Sequence, residues 1–323
     1  MTNDSASEPT GTAPRPLVSA VITSYNYGRF LAGALDSVLA QTYPHLDIVV
    51  VDDGSTDDTR EVVERYAGRG VGYAYQPNAG AAAARNTGVR QSTGPLLAFL
   101  DADDEWLPDK IARQVAHMHA HPEIALVSCH ADACSEDMQF ESVVHAARVP
   151  AGWILESLLV RNIVLNPTCV LVRRDALEGV GGFSDLDKWE DWDTWLRISK
   201  QYPIGFIPES LAKVRRHQRG LSPQDGYEHL ALDRVVFERH VDGVDRAWRR
   251  AVLRRRARSV SYFHFARLVG DQDRAAAARF ARRALVLDPT TLTRRKLGMV
   301  ARTWKPNRAL ARRRNVDPQT VRQ

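Results

Sequence analysis

Short apolar runs alternate with amphipathic stretches along the first hundred residues of the chain. Residues 17–22 form an apolar, β-branched run that is typical of a buried strand, and residues 46–55 form a second, which ends in two carboxylates. Between these runs, apolar side chains recur at helical spacing from Phe30 to Leu39. Further helices are predicted at 57–69, with Thr56 as its N-cap, and at 79–92, and further strands at 71–76 and 95–104. This order predicts an α/β fold, a mainly parallel twisted sheet with helices on both faces.

Polar side chains follow three of these predicted strands. Thr23–Tyr25, Asp52–Asp53 and Asp101–Asp104 each lie where a strand ends. In a parallel sheet the carboxyl ends of the strands share one edge, and ligands bind beyond it. We therefore expect these three segments to lie together and to form a binding site.

The pattern weakens after about residue 122. It predicts a strand within 124–135, helices at 151–162 and 190–201, a strand running into a short helix at 166–177, and a loop at Gly179–Phe183. From residue 226 onward the pattern is helical, with Arg and Ala dominant. We accordingly divide the chain into a disordered leader (1–16), an α/β domain (17–225) and a basic α-helical region (226–323).

The net charge of +5 conceals an asymmetry along the chain. Residues 226–323 hold 24 Lys and Arg against 9 Asp and Glu, whereas residues 1–225 hold 20 against 30. The basic region, with clusters at Arg249–Arg258 and Arg294–Lys296, suits three roles: contact with an anionic membrane surface, binding of a partner or a second copy, or a solvated helical face. No nucleic-acid motif accompanies the charge. No run approaches the roughly 20 apolar residues of a membrane helix.

Three cysteines, Cys129, Cys134 and Cys169, make neither a CxxC pair nor an even set. Unpaired thiols favour a cytoplasmic protein. Combined with the membrane hypothesis for the basic region, this predicts a cytoplasmic chain at the inner face of the membrane.

The turn Asp101-Ala102-Asp103-Asp104 places three carboxylates within four residues after an apolar strand. Such carboxylates repel one another unless a cation or solvent compensates. Mg²⁺ or Mn²⁺, bound by carboxylate oxygens and by substrate phosphates, is the natural partner. The alternative is an N-cap for the helix that follows, a role that suits Asp104 best.

A second acidic group is Glu190-Asp191-Trp192-Asp193. Acidic residues favour the first turn of a helix because of its dipole. The functional alternative is a general base that deprotonates an acceptor hydroxyl. One helical turn does not point all three carboxylates the same way, so at this stage any of them could be the base.

Six segments together resemble the family-2 glycosyltransferases, which have the GT-A fold. They are VSAVITSYNYGRFLAGALDSVLAQTYPHLDIVVVDDGSTDDT, NAGAAAARNTGV, FLDADDEWLPDKI, VGGF, KWEDWDTWLRI and RRHQRGLS, in the order and at about the spacing of the family, over residues 17–222. The resemblance implies an inverting transferase that takes a sugar from a nucleotide-sugar donor.

The resemblance also implies roles for particular residues. Thr23, Tyr25 and Asp53 match nucleobase-binding positions, and Arg85 matches a basic residue near the diphosphate. Asp101, Ala102 and Asp103 match the metal and donor motif, Asp191 the catalytic base, and His217 a histidine that helps to hold the metal or diphosphate. Gly181, Gly182, Trp189 and Glu190 fall where the acceptor would bind. Two positions depart from the family: Thr23 replaces a usual proline, and Val214 replaces a usual tyrosine.

The expected activity is thus transfer from a UDP- or dTDP-sugar to a glycan or lipid-linked acceptor, as in surface-polysaccharide synthesis. Two alternatives remain at this stage. A metal-dependent nucleotidyltransferase would carry a Gly-rich basic loop where this chain has TSYNYGR. A non-catalytic nucleotide-sugar-binding module would not need Asp103 and Asp191.

Overall fold

The structure, a computed structural model, describes residues 15–144, 149–186, 188–217, 226–270 and 273–291. Within this part of the chain, the contacts separate two compact units. One comprises residues 15–154 and 163–217, and the other comprises residues 155–162 and 226–291. The predicted leader lies almost wholly outside the described residues, as do Arg294–Lys296.

The first unit is built on one sheet. Its strands are β1 (Val18–Ser24), β2 (Leu46–Asp52), β3 (Val71–Tyr75), β4 (Leu96–Asp101), β5 (Glu105–Trp106), β6 (Leu126–Cys134), β7 (Phe140–Val144), β8 (Leu171–Arg173) and β9 (Ile204–Arg215). They are ordered β3-β2-β1-β4-β8-β6-β9-β5, with β7 paired to β6.

The helices of the first unit are α1 (Gly28–Leu39), α2 (Thr59–Glu64), α3 (Ala81–Gln91), α4 (Lys110–Ala120), α6 (Arg174–Gly179) and α7 (Glu190–Ser199). The second unit contains α5 (Leu155–Val160), α8 (Gly226–His240), α9 (Ala247–Leu268) and α10 (Arg274–Leu287).

Strands β1 to β4 form the parallel half of the sheet, as predicted. The apolar side chains of β1 and β4 leave almost no exposed surface, which is typical of strands covered on both faces. The register pairs Thr23 with Asp101 and Ser24 with Asp52. The three polar segments that follow β1, β2 and β4 therefore share one edge of the sheet.

The other half of the sheet was only partly predicted. β8 runs antiparallel to both β4 and β6, whereas β6 and β9 are parallel. β5, β7 and β9 were not predicted. β9 was not predicted because Pro208 and Glu209 interrupt its apolar pattern. The structure shows the same irregularity: burial along β9 does not alternate, and its register with β6 shifts beside Cys129 and His130.

One predicted helix start is wrong, and the N-cap alternative for Asp104 is not observed. α2 begins at Thr59, not at residue 57, and Thr56 is not its N-cap: the Asp57 carboxylate accepts from the Thr59 N–H at 3.1 Å, and the Thr56 N–H donates to Asn26. Asp104 caps no helix either. The two residues after it form β5, and α4 begins only at Lys110.

The core of the first unit lies between the sheet and helices α1 and α4. α1 turns Leu31, Ala34, Leu35 and Val38 inward, each with no exposed surface, because these positions recur at helical spacing. They pack with Val18, Ala20 and Ile22 of β1. This packing fixes β1 and its neighbour β4, and the acidic turn follows the end of β4.

In the second unit, α9 and α10 pack through small side chains. Ala277, Ala281 and Ala284 of α10 face Phe263 and Ala266 of α9. α9 carries seven arginines and no acidic residue. Part of this charge is neutralised by ion pairs, Arg249 with Glu156 at 2.6 Å and Arg254 with Glu238 at 2.7 Å. No helix in the described part of the chain is long and apolar enough to cross a membrane.

Candidate functional site

The loops after β1 and β2 are tied to each other at the carboxyl edge of the sheet. The Asn26 N–H donates to Ser55 at 2.9 Å, the Asn26 side chain accepts from the Thr56 N–H at 2.8 Å, and the Gly28 N–H donates to Asp57 at 2.9 Å. This network fixes the loop that carries Tyr25, whose ring is 48% exposed. A fixed, exposed ring next to the sheet edge suits stacking on a planar base.

Asp53 lies buried behind this loop. Its carboxylate accepts from the Gln76 side chain at 2.6 Å and from the N–H groups of Ala79 and Gly80, each at 2.9 Å. Asp53 therefore holds the segment that leads into α3. Its nucleobase role stays a prediction, because these partners of the carboxylate belong to the chain itself.

Arg85 of α3 joins the two acidic motifs. Its Nη2 donates to Asp101 at 2.7 Å and its Nη1 donates to Glu190 at 2.5 Å, and the side chain is only 4% exposed. Burial alone would lower the pKa of Arg85, but the charges of Asp101 and Glu190 outweigh it and raise that pKa above its usual range. These contacts use Nη1 and Nη2, and the buried Nε has no hydrogen-bond partner among the described residues.

Asp103 pairs with His217, which lies just beyond β9. Nε2 of His217 is 2.9 Å from Oδ2 of Asp103, and the imidazole packs against Tyr27 and Phe30 with 5.3 Å between ring centroids in both cases. Burial and the charge of Asp101 raise the pKa of Asp103. The structure thus brings together the three predicted metal-binding residues only in part: Asp103 contacts His217, while Asp101 contacts Arg85.

These residues fit a hard divalent cation. The contacts with Arg85 and His217 use one carboxylate oxygen of Asp101 and one of Asp103. Burial and the charge of Asp101, which raise the pKa of Asp103, both disfavour its ionised form, and a bound cation would offset both. No three His, Cys, Asp or Glu side chains converge into a complete metal site among the described residues. Substrate phosphates would therefore have to supply further ligands, as they commonly do for Mg²⁺.

Asp104 organises the acidic turn from within. It is buried, and it accepts from Thr168 Oγ1 at 2.6 Å and from the Arg215 N–H at 3.0 Å. Burial and the charges of Asp103 and Asp101 raise its pKa well above the usual value. Sequence reasoning missed Thr168 and Arg215. A signal for Arg215 was available, because Lys213, Arg215 and His217 alternate as the residues of one strand face do.

The structure separates the three carboxylates of the second motif. Glu190 pairs with Arg85, and Asp193, with 1% of its side chain exposed, pairs with Arg197 at 2.9 Å. Asp191 accepts from the Trp192 N–H at 2.6 Å, and it makes no ion pair with any described residue. Burial and the neighbouring Glu190 charge raise its pKa to about 7. A carboxyl with such a pKa is suited to accept a proton near neutral pH.

Of the residues predicted for the acceptor side, Gly181 and Gly182 form a turn after α6, whereas Trp189 and Glu190 lie at the start of α7. Gly181 and Gly182 adopt positive φ angles of 87° and 72° after α6, and Asn86 clamps the turn through two 2.9 Å hydrogen bonds with Phe183. Trp189, at φ 64°, immediately precedes α7. The glycines are thus needed for the turn itself, and an acceptor role for this group stays a prediction.

Residues 19–181, about half of the chain, match the model of glycosyl transferase family 2. The chain belongs to glycosyl transferase family 2. This confirms the predicted family and enzyme class. The matched range contains the acidic turn and Arg85 and ends before Glu190 and Asp191.

Curated relatives agree with this assignment. An uncharacterized glycosyltransferase of Nostoc is 46% identical over 62% of this chain and 65% of its own length. The putative teichuronic acid biosynthesis glycosyltransferase TuaG of Bacillus subtilis is 29% identical over 64% of this chain and 82% of its own length.

Solved structures share the fold. The mannosyltransferase PcManGT of Pyrobaculum calidifontis, solved with GDP-Man and Mn²⁺, has a TM-score of 0.62 at 22% identity, covering 92% of this chain and 81% of its own. Staphylococcus aureus TarS, solved with UDP-GlcNAc, has a TM-score of 0.57 at 18% identity and 89% coverage of both chains. The predicted GT-A-like architecture is confirmed.

Proposed function

We propose that this chain transfers a sugar, with inversion, from a nucleoside-diphosphate sugar to an acceptor hydroxyl. The observation that carries the proposal is that the three carboxylates of the second acidic motif have different partners. Glu190 pairs with Arg85 and Asp193 pairs with Arg197. Asp191 pairs with neither arginine, and its pKa is raised to about 7. A general base needs a poised carboxyl of this kind.

In the proposed reaction, the Asp191 carboxylate accepts the proton of the acceptor hydroxyl. The acceptor oxygen then forms a bond to the anomeric carbon of the sugar, while the bond from that carbon to the diphosphate oxygen breaks on the opposite face. The configuration at the anomeric carbon is thereby inverted in one displacement, and the nucleoside diphosphate leaves with the bonding electrons.

Asp101, Asp103 and His217 would hold Mg²⁺ or Mn²⁺ together with the diphosphate. When bound, the cation would offset the negative charge of the leaving group. The Mn²⁺ in the PcManGT complex supports this choice of cofactor. Tyr25 would stack on the base, with Thr23 and Asp53 beside it, and Arg85 would hold the two acidic motifs at a fixed separation.

The comparisons support a polymer of the cell surface as the acceptor, because TuaG is described as a glycosyltransferase of teichuronic acid biosynthesis. Structures similar to this chain hold UDP-GlcNAc in one case and GDP-Man in another. The donor screen must therefore include uridine, deoxythymidine and guanosine nucleotides.

The deciding experiment incubates the full chain with a panel of UDP-, dTDP- and GDP-sugars, Mn²⁺ or Mg²⁺, and polysaccharide acceptors. Release of nucleoside diphosphate is followed, and the product linkage is determined by NMR. We expect one donor to react with inversion, and Asp191→Asn and Asp103→Ala each to lower kcat by a factor of about 10² to 10⁴. Asp137→Asn, at an exposed turn carboxylate, is the matched control. Full activity of Asp191→Asn, or pyrophosphate release from a nucleoside triphosphate, would contradict the proposal.

A peripheral contact with anionic lipid at the inner face of the membrane forms part of the proposal, because α9 carries seven arginines and no acidic residue. Flotation with vesicles of phosphatidylglycerol and phosphatidylcholine tests it. Binding should require the anionic lipid and should fall on changing the exposed Arg255 and Arg258 to Glu. Equal binding to neutral vesicles would rule out this contact.

A further inference from the structure

We infer that Arg215 is a positioning residue for the acidic turn Asp101–Asp104, and that it sets the affinity of this turn for a divalent cation. The inference rests on the proposed function, which makes the turn a metal and diphosphate site. It concerns the first residue of the RRHQRGLS segment, in which the resemblance assigns a role only to His217.

Arg215 contacts three consecutive residues of the chain at and beyond the turn. Its Nε donates to the Asp103 carbonyl at 2.8 Å, and its Nη2 lies 3.6 Å from the Glu105 carboxylate. Its backbone N–H donates to the Asp104 carboxylate at 3.0 Å. The rigid fork of the guanidinium makes the Asp103 and Glu105 contacts at once, whereas the Asp104 contact belongs to the backbone and remains in any variant at this position.

The contact with Asp103 involves the backbone and not the carboxylate. Arg215 therefore fixes the direction of the Asp103 side chain without neutralising it. The carboxylate itself is left to His217, at 2.9 Å, and to a cation. A partner that orients a ligand in this way acts on metal affinity through the geometry of the ligand.

Arg215 is itself held in place from two further sides. Its guanidinium stacks on the Phe30 ring at 4.5 Å and donates to the Glu136 carbonyl, and its side chain is only 8% exposed. Arg29 covers the same ring at 4.2 Å and pairs with the Glu136 carboxylate at 3.0 Å. These contacts restrict Arg215 to one orientation, which is what positioning requires.

The turn consequently lies between two arginines with different tasks. The Arg85 side chain binds the Asp101 carboxylate directly, whereas the Arg215 side chain binds the Asp103 carbonyl and lies beside the Glu105 carboxylate. Loss of Arg215 removes positive charge as well as geometry, so the test must separate the two effects.

The chain offers a matched control in the next residue. Arg216 carries the same charge, has 58% of its side chain exposed and pairs with Glu141 at 3.5 Å, away from the turn. Arg216→Gln changes the net charge as Arg215→Gln does, but it leaves every contact of the turn intact. Arg215→Lys keeps the charge while it loses the fork.

The experiment measures Mn²⁺ binding by electron paramagnetic resonance, with UDP and GDP tested separately, and needs no turnover. We expect Arg215→Gln to weaken Mn²⁺ binding by a factor of about 10 to 100, Arg215→Lys to weaken it less, and Arg216→Gln to leave it unchanged. Circular dichroism and thermal unfolding confirm that each variant is folded.

Wild-type affinity in Arg215→Gln would overturn the inference, and so would equal losses in Arg215→Gln and Arg216→Gln, since these would show an effect of charge alone. A wild-type chain that binds no Mn²⁺ with either nucleotide would overturn the metal part of the proposed function, and this inference with it. The wild-type measurement therefore distinguishes the two failures.

Discussion

Arg85 and Glu190 lie 105 positions apart in the sequence, and in the structure Nη1 of Arg85 is 2.5 Å from Oε1 of Glu190. Because the same guanidinium also binds Asp101 at 2.7 Å, the two acidic motifs of the site are held together by one buried cation. This one side chain thus connects the proposed metal turn to the first residue of the helix that carries the proposed base.

Removing Arg85 should therefore destabilise the fold strongly. Arg85→Gln leaves Asp101 and Glu190 without their cation in a poorly solvated site, and breaking a buried ion pair from one side costs about 3–5 kcal/mol. Urea unfolding at neutral pH gives the free energy of unfolding directly.

Arg113→Gln is the control for this change, because Arg113 also pairs with a glutamate, Glu209, but both side chains are about half exposed. Exposed pairs of this kind contribute about 0–1 kcal/mol. Similar losses in the two variants would show that burial does not strengthen the Arg85 bridge.

The raised pKa of Asp191 predicts a pH dependence of the reaction. A general base acts in its ionised form, so kcat/KM should rise about tenfold per pH unit below 7 and level off above it. The ratio kcat/KM is the appropriate measurement because it reports the free enzyme. Samples returned from pH 5.5 to pH 8 should recover full activity. A flat profile from pH 5.5 to pH 8 would exclude Asp191 as the base.

The same pKa makes a separate prediction for stability. A folded-state pKa above the ordinary 3.8 means that ionised Asp191 destabilises the fold: its favourable contribution is complete below pH 3.8 and is lost as pH rises through about 7. Asp191→Asn should therefore be more stable than wild type at pH 8. The difference should shrink toward pH 5, by up to about 1.4 kcal/mol per pH unit.

Thermal unfolding of both proteins from pH 5 to pH 8 checks this. Asp137→Asn, at an exposed position, should show no such trend. If the stability difference between Asp191→Asn and wild type did not change with pH, folding would not raise the pKa of Asp191, and the prediction would be wrong.

The parallel half of the sheet and its acidic edge could be predicted because they depend on local patterns. Each of the first four strands is a continuous apolar run, and parallel connectivity alone brings Thr23 beside Asp101 and Ser24 beside Asp52. β9 was missed because Pro208 and Glu209 break its pattern. Arg215 is the last residue of this strand, so its place beside the acidic turn was missed as well.

The choice among Glu190, Asp191 and Asp193 could be made only in part from the sequence. Asp193 and Arg197 are four residues apart on one helix, so their pairing follows from helical spacing and could have been predicted. The pairing of Glu190 with Arg85 depends on how α3 and α7 pack together, and no local pattern carries that information.

The turn after α6 provides a last prediction, on backbone geometry. Gly182 has a φ of 72°, and a Cβ atom there would lie 2.7 Å from Oδ1 of Asn86, the atom that accepts from the Phe183 N–H. Gly182→Ala should therefore lower the free energy of unfolding by about 1–3 kcal/mol, through strain and the displacement of Asn86.

Gly179 ends α6, and a Cβ atom there would meet no described atom within 4 Å, so Gly179→Ala should be neutral or stabilising by up to about 1 kcal/mol. Urea unfolding of the two variants separates the effects, and equal losses would show that the turn tolerates a side chain where its φ is positive.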